Sequence, residues 1–309
     1  MFLENLLIAS KQVGILYVLV AVGFICDKVG IFKEKAAKLS NELLFYVITP
    51  AVIVQSFLTV ENTKENVKNL LVAGLFGIVL HIVAILISML FFRKKSDDNS
   101  IFKMATAYGN VGYMGLPLVQ AILGDEGVFY CSAIVMVFNV FAFTHGVNVM
   151  SDMTKFDWKK LILNPGTISI LIGLPFFAFG IKLPEIINTP LDYVASLQTP
   201  LAMIFFGTYL ANTDLKSMFK EKKIYLSALI KLIIIPMIML VFLKLFDVKT
   251  VMLTAILISA SAPSANITVM FSAKYNKDVG LASKTVAVIS FISIITMPIV
   301  IAIGQNVNL

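Results

Sequence analysis

The chain has 309 residues, 59% of them hydrophobic and 14% charged, against roughly 45–50% and about 25% in an average soluble domain. Apolar stretches of about 20 residues, each enough to cross a hydrocarbon core about 30 Å thick, recur along its length and leave no room for a soluble domain. The net charge of +7 does not point to nucleic acid: no basic run is interleaved with stacking aromatics, and lysines gathered on one side of a membrane account for it.

In chain order the pattern predicts an all-α membrane protein with ten transmembrane helices. The opening residues, Met1 to Asn5, lack a basic leader and a small-residue cleavage site, so the first span is expected to be retained. The spans are Val13–Phe32, Leu39–Leu58, Val67–Phe92, Ile101–Leu123, Val128–Met150, Thr167–Ile181, Tyr193–Leu210, Ile224–Phe246, Val251–Ala273 and Gly280–Ile303. Residues 1–150 form a first five-helix half and 166–309 a second. The stretch 151–165, with Trp158 among Lys155, Lys159 and Lys160, reads as a cytoplasmic linker at the interface. Cys26 and Cys131 lie in or beside spans and imply no disulfide framework and no metal site.

Loops after the odd-numbered spans hold most of the cations, among them Lys28, Arg93, Lys94, Lys95, Lys222, Lys223, Lys274 and Lys277. The positive-inside bias puts those loops in the cytoplasm and both termini outside. Val29-Gly30-Ile31 recurs as Phe179-Gly180-Ile181 and Thr49-Pro50 as Thr199-Pro200, each displaced by 150 positions. Five spans per half is an odd number, so the second copy is expected to enter from the opposite side, as an inverted 5+5 repeat. Pro50 and Pro200 are expected to kink their spans.

Two stretches break the apolar pattern. Residues 108–117 read Tyr-Gly-Asn-Val-Gly-Tyr-Met-Gly-Leu-Pro, and residues 259–266 read Ser-Ala-Ser-Ala-Pro-Ser-Ala-Asn. Glycine costs about 1 kcal/mol and proline about 3 kcal/mol in a helix interior, so both spans should unwind midway. Irregular backbone at that depth survives only when packed in protein or lining a wet cavity, and a binding site is the usual reason. Pro117 and Pro263 each suit the first turn of the half-helix that follows. Two such N-terminal ends, each about +0.5 of an elementary charge, could offset about one carboxylate. Neither break contains Arg or Lys.

Asn110, followed by Tyr113-Met-Gly-Leu-Pro117-Leu, resembles the fourth-span signature of the auxin efflux carrier family, an Asn upstream of Met-Gly-Ile-Pro-Leu. Ala262-Pro263 leading to Phe271-Ser-Ala-Lys-Tyr-Asn276 resembles that family's ninth-span pattern. The family includes plant auxin exporters and bacterial malate and malonate permeases. Plant members have a glutamine after the ninth-span proline; here Ser264 stands there, with Asn266 nearby. The resemblance implies ten helices split into a scaffold and a transport domain, with helices 4 and 9 broken and crossing. It also implies a substrate carboxylate at the crossing and a homodimer through the scaffold.

Candidate substrate-binding residues are Asn110, Gly112, Gly115, Pro117, Pro263, Ser264 and Asn266. The asparagines add amide donors and acceptors, and the alternative for Asn110 is helix-to-helix hydrogen bonding. The glycines, Gly109 included, read first as permitting close backbone approach. His81 and Lys231 lie 150 positions apart, in spans 3 and 8. Lys231, about 12 Å past its loop, reads either as a lysine snorkelling to the cytoplasmic face or as a residue serving coupling or a second carboxylate. His81 reads as a packed histidine or as part of the same function. A polar stripe on span 5, Asn139, His145 and Asn148, faces the cavity or bonds within the bundle.

The function expected is secondary active or facilitative transport of a small organic anion, such as malate or malonate, across the cell membrane by alternating access. No ATP-binding loop, cofactor or nucleic-acid partner is implied. A sodium-coupled carrier of the bile-acid symporter type and a non-transporting ligand sensor are the rivals; sodium-dependent uptake would favour the first, binding without flux the second. An enzyme is disfavoured by two histidines, no HExxH and no buried carboxylate pair.

Overall fold

A computed structural model of the chain describes residues 2–151, 162–212 and 221–307, and it is helical almost throughout. Helix α1 is Phe2–Lys28, α2 Glu34–Leu43, α3 Thr49–Thr59, α4 Lys64–Phe91, α5 Asp97–Ala107, α6 Leu116–Phe141 and α7 Val147–Ser151. They are followed by α8 Pro165–Phe179, α9 Glu185–Ser196, α10 Gln198–Ala211, α11 Lys222–Leu229, α12 Ile235–Leu245, α13 Thr250–Ser261, α14 Ile267–Lys274 and α15 Val279–Val307. Most of the expected linker, Trp158 included, lies outside the described residues.

Local sequence accounts for the helix starts. Thr63 caps α4 by accepting from the Asn66 N–H at 3.1 Å, and Ser96 caps α5 through Asn99 N–H at 3.2 Å, with Asp97 and Asp98 in the first turn. Both satisfy N–H groups that a helix start leaves unpaired and place negative charge at its positive end. Asn164 caps α8 by accepting from the Gly166 N–H at 2.9 Å, with Pro165 at the first helical position.

Three prolines follow a widened turn. Among the described residues four π-helical turns occur, and three of them, Leu44–Ile48, Val111–Gly115 and Ile230–Ile234, are followed two residues later by a proline, Pro50, Pro117 and Pro236; the fourth, Ala142–Gly146, is not. A proline cannot donate to the carbonyl four residues back and its ring crowds that carbonyl. The wider turn lets the helix pass without a break. Pro50 therefore widens its helix, whereas Pro200 sits in the first turn of α10, where no N–H is missed.

The expectation of ten spans in an inverted 5+5 repeat is corrected. Among the described residues six helical runs are long and apolar enough to cross a membrane: Lys35–Thr59, Lys64–Phe91, Val111–Ser151, Glu185–Ala211, Lys222–Leu245 and Val279–Asn306. The segments read as spans 4 and 5 merge after the first break into one 41-residue run, kinked at Gly124, whose φ of 62° suits glycine. Elsewhere the apolar segments are cut short. Helices of 11, 15, 12 and 8 residues (α5, α8, α13 and α14) are about 12 to 23 Å long at 1.5 Å per residue, less than the hydrocarbon thickness. Apolar content along the chain measures hydrophobicity, not helical continuity.

The helices pack closest where side chains are missing. A Cβ on Gly207 of α10 would fall 2.0 Å from the Val20 carbonyl of α1, and one on Gly23 would fall 2.1 Å from the Ile204 carbonyl. Small residues facing each other let two helix backbones touch, the usual device in membrane bundles.

Candidate functional site

Both expected breaks occur, and they pair with each other. Helix α5 ends at Ala107 and the chain turns extended at Tyr108; α13 ends at Ser261 and turns extended at Ala262. Gly109 and Ser264 form an antiparallel bridge. The Asn110 N–H donates to the Pro263 carbonyl at 2.6 Å and the Ala265 N–H to the Tyr108 carbonyl at 2.9 Å. Backbone groups that would be costly in lipid thus satisfy one another. With 11 and 12 residues, α5 and α13 are about 17 to 18 Å long, roughly half a bilayer's thickness.

The crossing is anchored on several sides. Tyr108, fully buried, has its hydroxyl 2.9 Å from the Phe141 carbonyl and 2.9 Å from His145 Nδ1. The Ser264 hydroxyl donates to the Ala105 carbonyl at 2.6 Å. One helix further out, the Thr106 and Ser227 hydroxyls pair at 2.6 Å, fixing α11 against α5.

The candidate residues separate by role. Asn110 is buried and caps the next half-helix: its Oδ1 accepts from Tyr113 N–H at 3.3 Å, and its carbonyl accepts from Met114 and Gly115 N–H at 3.1 and 3.0 Å. Asn266 holds the N-cap position of α14, with its Oδ1 buried and unpaired. Asn110 is therefore the side-chain cap of its half-helix, whereas Asn266 holds the N-cap position without a side-chain bond. Pro117 lies in the first turn of α6, directly beyond the wide turn, whereas Pro263 sits in the extended stretch, three residues before Asn266, because strand-like pairing separates the helix end from the next start. The Gly112 carbonyl faces Gln198 Nε2 at 3.4 Å. A Cβ on Gly112 would meet nothing within 4 Å, and one on Gly115 would meet only ordinary contacts at 3.5 Å and beyond.

Gly109 alone of the three is crowded. A Cβ there would fall 2.7 Å from Lys231 Nζ and 3.1 Å from the Ala262 carbonyl oxygen. Lys231 is only 1% exposed, and its Nζ donates to the Ala260 carbonyl at 3.2 Å. It does not snorkel; it reaches the crossing. His81 is buried behind Tyr108, its Nδ1 2.7 Å from the Gly77 carbonyl and its ring stacked on Phe141 at 5.3 Å. Of the polar stripe, His145 bonds Tyr108, Asn139 donates to Asn164 within the bundle at 3.1 Å, and Asn148 is exposed.

Sequence reasoning passed over Gln198. It is fully buried, accepts from the Thr49 hydroxyl at 3.0 Å and reaches Gly112; the signal was there in the paired Thr-Pro motifs, read only for their prolines. Among the described residues no group of three or more His, Cys, Asp and Glu could hold a metal ion.

Long apolar helices around two interrupted ones, whose breaks bond to each other inside the bundle, define a multi-span integral membrane transporter. The chain belongs to the "Membrane transport protein" family, whose model matches residues 8–155 and 148–301. It is 25% identical over 304 residues to an uncharacterized transporter of Methanocaldococcus jannaschii, covering 94% of this chain and 97% of the relative. It is 24% identical over 296 residues, 90% of each chain, to a provisionally named malonate transporter of Rhizobium meliloti. Auxin efflux carrier component 8 of Arabidopsis thaliana is 26% identical over 137 residues, 43% of this chain and 37% of that one. These relationships make the protein a transport protein rather than an enzyme.

Proposed function

We propose that the protein moves a small organic anion, a carboxylate of the malate or malonate kind, by alternating access, driven by a gradient or facilitative. The observation that carries this reading is the bonding between the breaks, Asn110 N–H to Pro263 and Ala265 N–H to Tyr108. Two half-helices start within a few residues of it, at Val111 and Ile267. Their N–H groups and positive ends suit one carboxylate. Asn110 and Asn266 are proposed to touch the anion, while Gly112, Gly115, Pro117, Pro263 and Ser264 shape the backbone around it. The name of the Rhizobium meliloti relative favours a short dicarboxylate.

The part that moves is proposed to hold the crossing, and the part that stays to hold α1 and α10, joined at Gly23 and Gly207. The halves 1–150 and 166–309 would each contribute to both parts, and the homodimer would form through the static one.

The cation-rich face is proposed to be cytoplasmic. Support comes from contacts at one end of the bundle: Lys28 with the Ala211 carbonyl, Tyr209 with the Ser283 carbonyl, and Lys277 with Asp97. Helix α1 ends at that face and α15 begins there, so both termini would lie on the other side.

A thermal-shift screen of purified protein against mono- and dicarboxylates, followed by flux in vesicles, tests the reading. A ligand at 100 times its Kd stabilises by about 2.7 kcal/mol. No response to any carboxylate would sink the anion assignment, and binding without exchange would indicate a sensor.

A further inference from the structure

The crossing has a second side. While the turn beginning at Val111 and helix α14 present their starts to it, α5 and α13 present their ends, at Ala107 and Ser261. The last carbonyls of a helix have no partner within it and carry about −0.5 of an elementary charge. Two such ends meeting amount to about one negative charge. Pro263 deepens the deficit, because it has no N–H to return to the Ser259 carbonyl four residues back.

Lys231 fills that place. Its Nζ bonds the Ala260 carbonyl in the last turn of α13 and lies 2.7 Å from where a Cβ on Gly109 would stand, just past the end of α5. The Ala262 carbonyl oxygen is 3.1 Å from the same point. No carboxylate balances the amine: the ion pairs among the described residues, Lys249 with Glu65 and Lys277 with Asp97, lie at the surface. A buried cation in a membrane bundle needs a counter-charge, and here backbone supplies it. Carriers that couple to sodium use carbonyls of this kind, at unwound stretches and half-helix ends, to hold the ion.

We propose that the Lys231 ammonium is a built-in cation occupying what would otherwise be a monovalent-cation site at the negative ends of α5 and α13, so that the carrier works without sodium. The claim concerns the cation side of the crossing and stands apart from which anion binds the other side. Gly109 belongs to the device, since any side chain there would press on the amine. The wide turn Ile230–Ile234 and Pro236 set its aim by shifting the helix register at Lys231.

The test is thermal unfolding of the full chain in detergent, in sodium chloride against choline chloride at equal ionic strength, with no carboxylate present. The wild type should unfold at the same temperature in both. Lys231→Ala should unfold earlier in choline and regain at least about 3 °C in sodium, saturably, because sodium then enters the vacated carbonyl site. A Lys231→Ala protein indifferent to sodium, or a wild type stabilised by sodium as strongly as the variant, overturns the proposal.

Should Lys231→Ala fail to fold, Gly109→Ala is compared in the wild type and in Lys231→Met, which keeps the bulk and drops the charge. The glycine substitution should lower the midpoint more in the wild type, where the new methyl meets the amine. Equal drops would mean that the amine does not stand against Gly109 at the helix ends, which overturns the proposal. Because no carboxylate enters either experiment, failure of the anion assignment leaves both readable.

Discussion

The Ser264 hydroxyl donates to the Ala105 carbonyl at 2.6 Å, so the second break is stitched to the helix that leads into the first. Ala105 lies in the last turn of α5, where carbonyls lack helical partners. A hydroxyl spent this way is structural. Ser264→Ala should therefore lower stability by about 1–2 kcal/mol while changing carboxylate affinity less than about twofold. Midpoints with and without ligand measure both. A tenfold affinity loss at unchanged stability would instead make Ser264 a substrate contact.

Asn110 carries the opposite expectation. Its Oδ1 accepts from the Tyr113 N–H, a duty that aspartate performs as well at a helix start. Asn110→Asp should keep or raise the thermal midpoint, since its negative charge suits the N-terminal end. That same charge repels an anion. Carboxylate binding should fall by at least about 100-fold, an effect of about 2.8 kcal/mol, read as loss of the ligand-induced shift. A variant that still binds carboxylate with wild-type affinity would remove Asn110 from the anion site.

The positions of both breaks were legible in the sequence because glycine, proline and serine are expensive inside an apolar helix. Their mutual pairing was not, since register between Gly109 and Ser264 depends on how two distant helices meet. Pro117 does stand in the first turn of α6, behind the wide turn that Asn110 caps, but Pro263 does not begin α14, because the extended stretch that pairs the breaks puts it three residues ahead of Asn266. Lys231 sits at a depth where a lysine can snorkel. Which way it points is decided by the wide turn beneath it and by the missing side chain at Gly109, neither visible in a local window. The number of spans failed for a related reason, as apolarity persists across breaks that end a helix.

Glycines in this chain differ in what they permit. A Cβ on Gly207 would stand 2.0 Å from the Val20 carbonyl, on a backbone that cannot move aside cheaply, while one on Gly112 would meet nothing within 4 Å. Gly207→Ala should force α1 and α10 apart and cost about 1–3 kcal/mol or more. Gly112→Ala should be neutral or slightly stabilising, given alanine's advantage of about 1 kcal/mol within helices. Paired unfolding measurements check the contrast, and similar losses at both positions would contradict the close contact of the two helices.

Gln198 links three elements through one side chain. It accepts from the Thr49 hydroxyl at 3.0 Å and donates to the Gly112 carbonyl at 3.4 Å, so α3, α10 and the turn after the first break share one buried network. Members of such a network do not act independently. Thr49→Val alone leaves Gln198 Oε1 without its donor, and Gln198→Leu alone leaves both the Thr49 hydroxyl and the Gly112 carbonyl unserved. Each single change should cost about 1–3 kcal/mol, the penalty for stranding a buried polar group. The double variant strands fewer groups than the sum of the singles, so it should fall short of additivity by at least about 0.5 kcal/mol. Strict additivity would mean that the 3.0 Å contact contributes nothing. If the shortfall is found, the same Gln198→Leu protein tests the link to transport: the weaker bond to Gly112 is the one a moving crossing would break, so exchange rate should change while ligand affinity stays within about twofold.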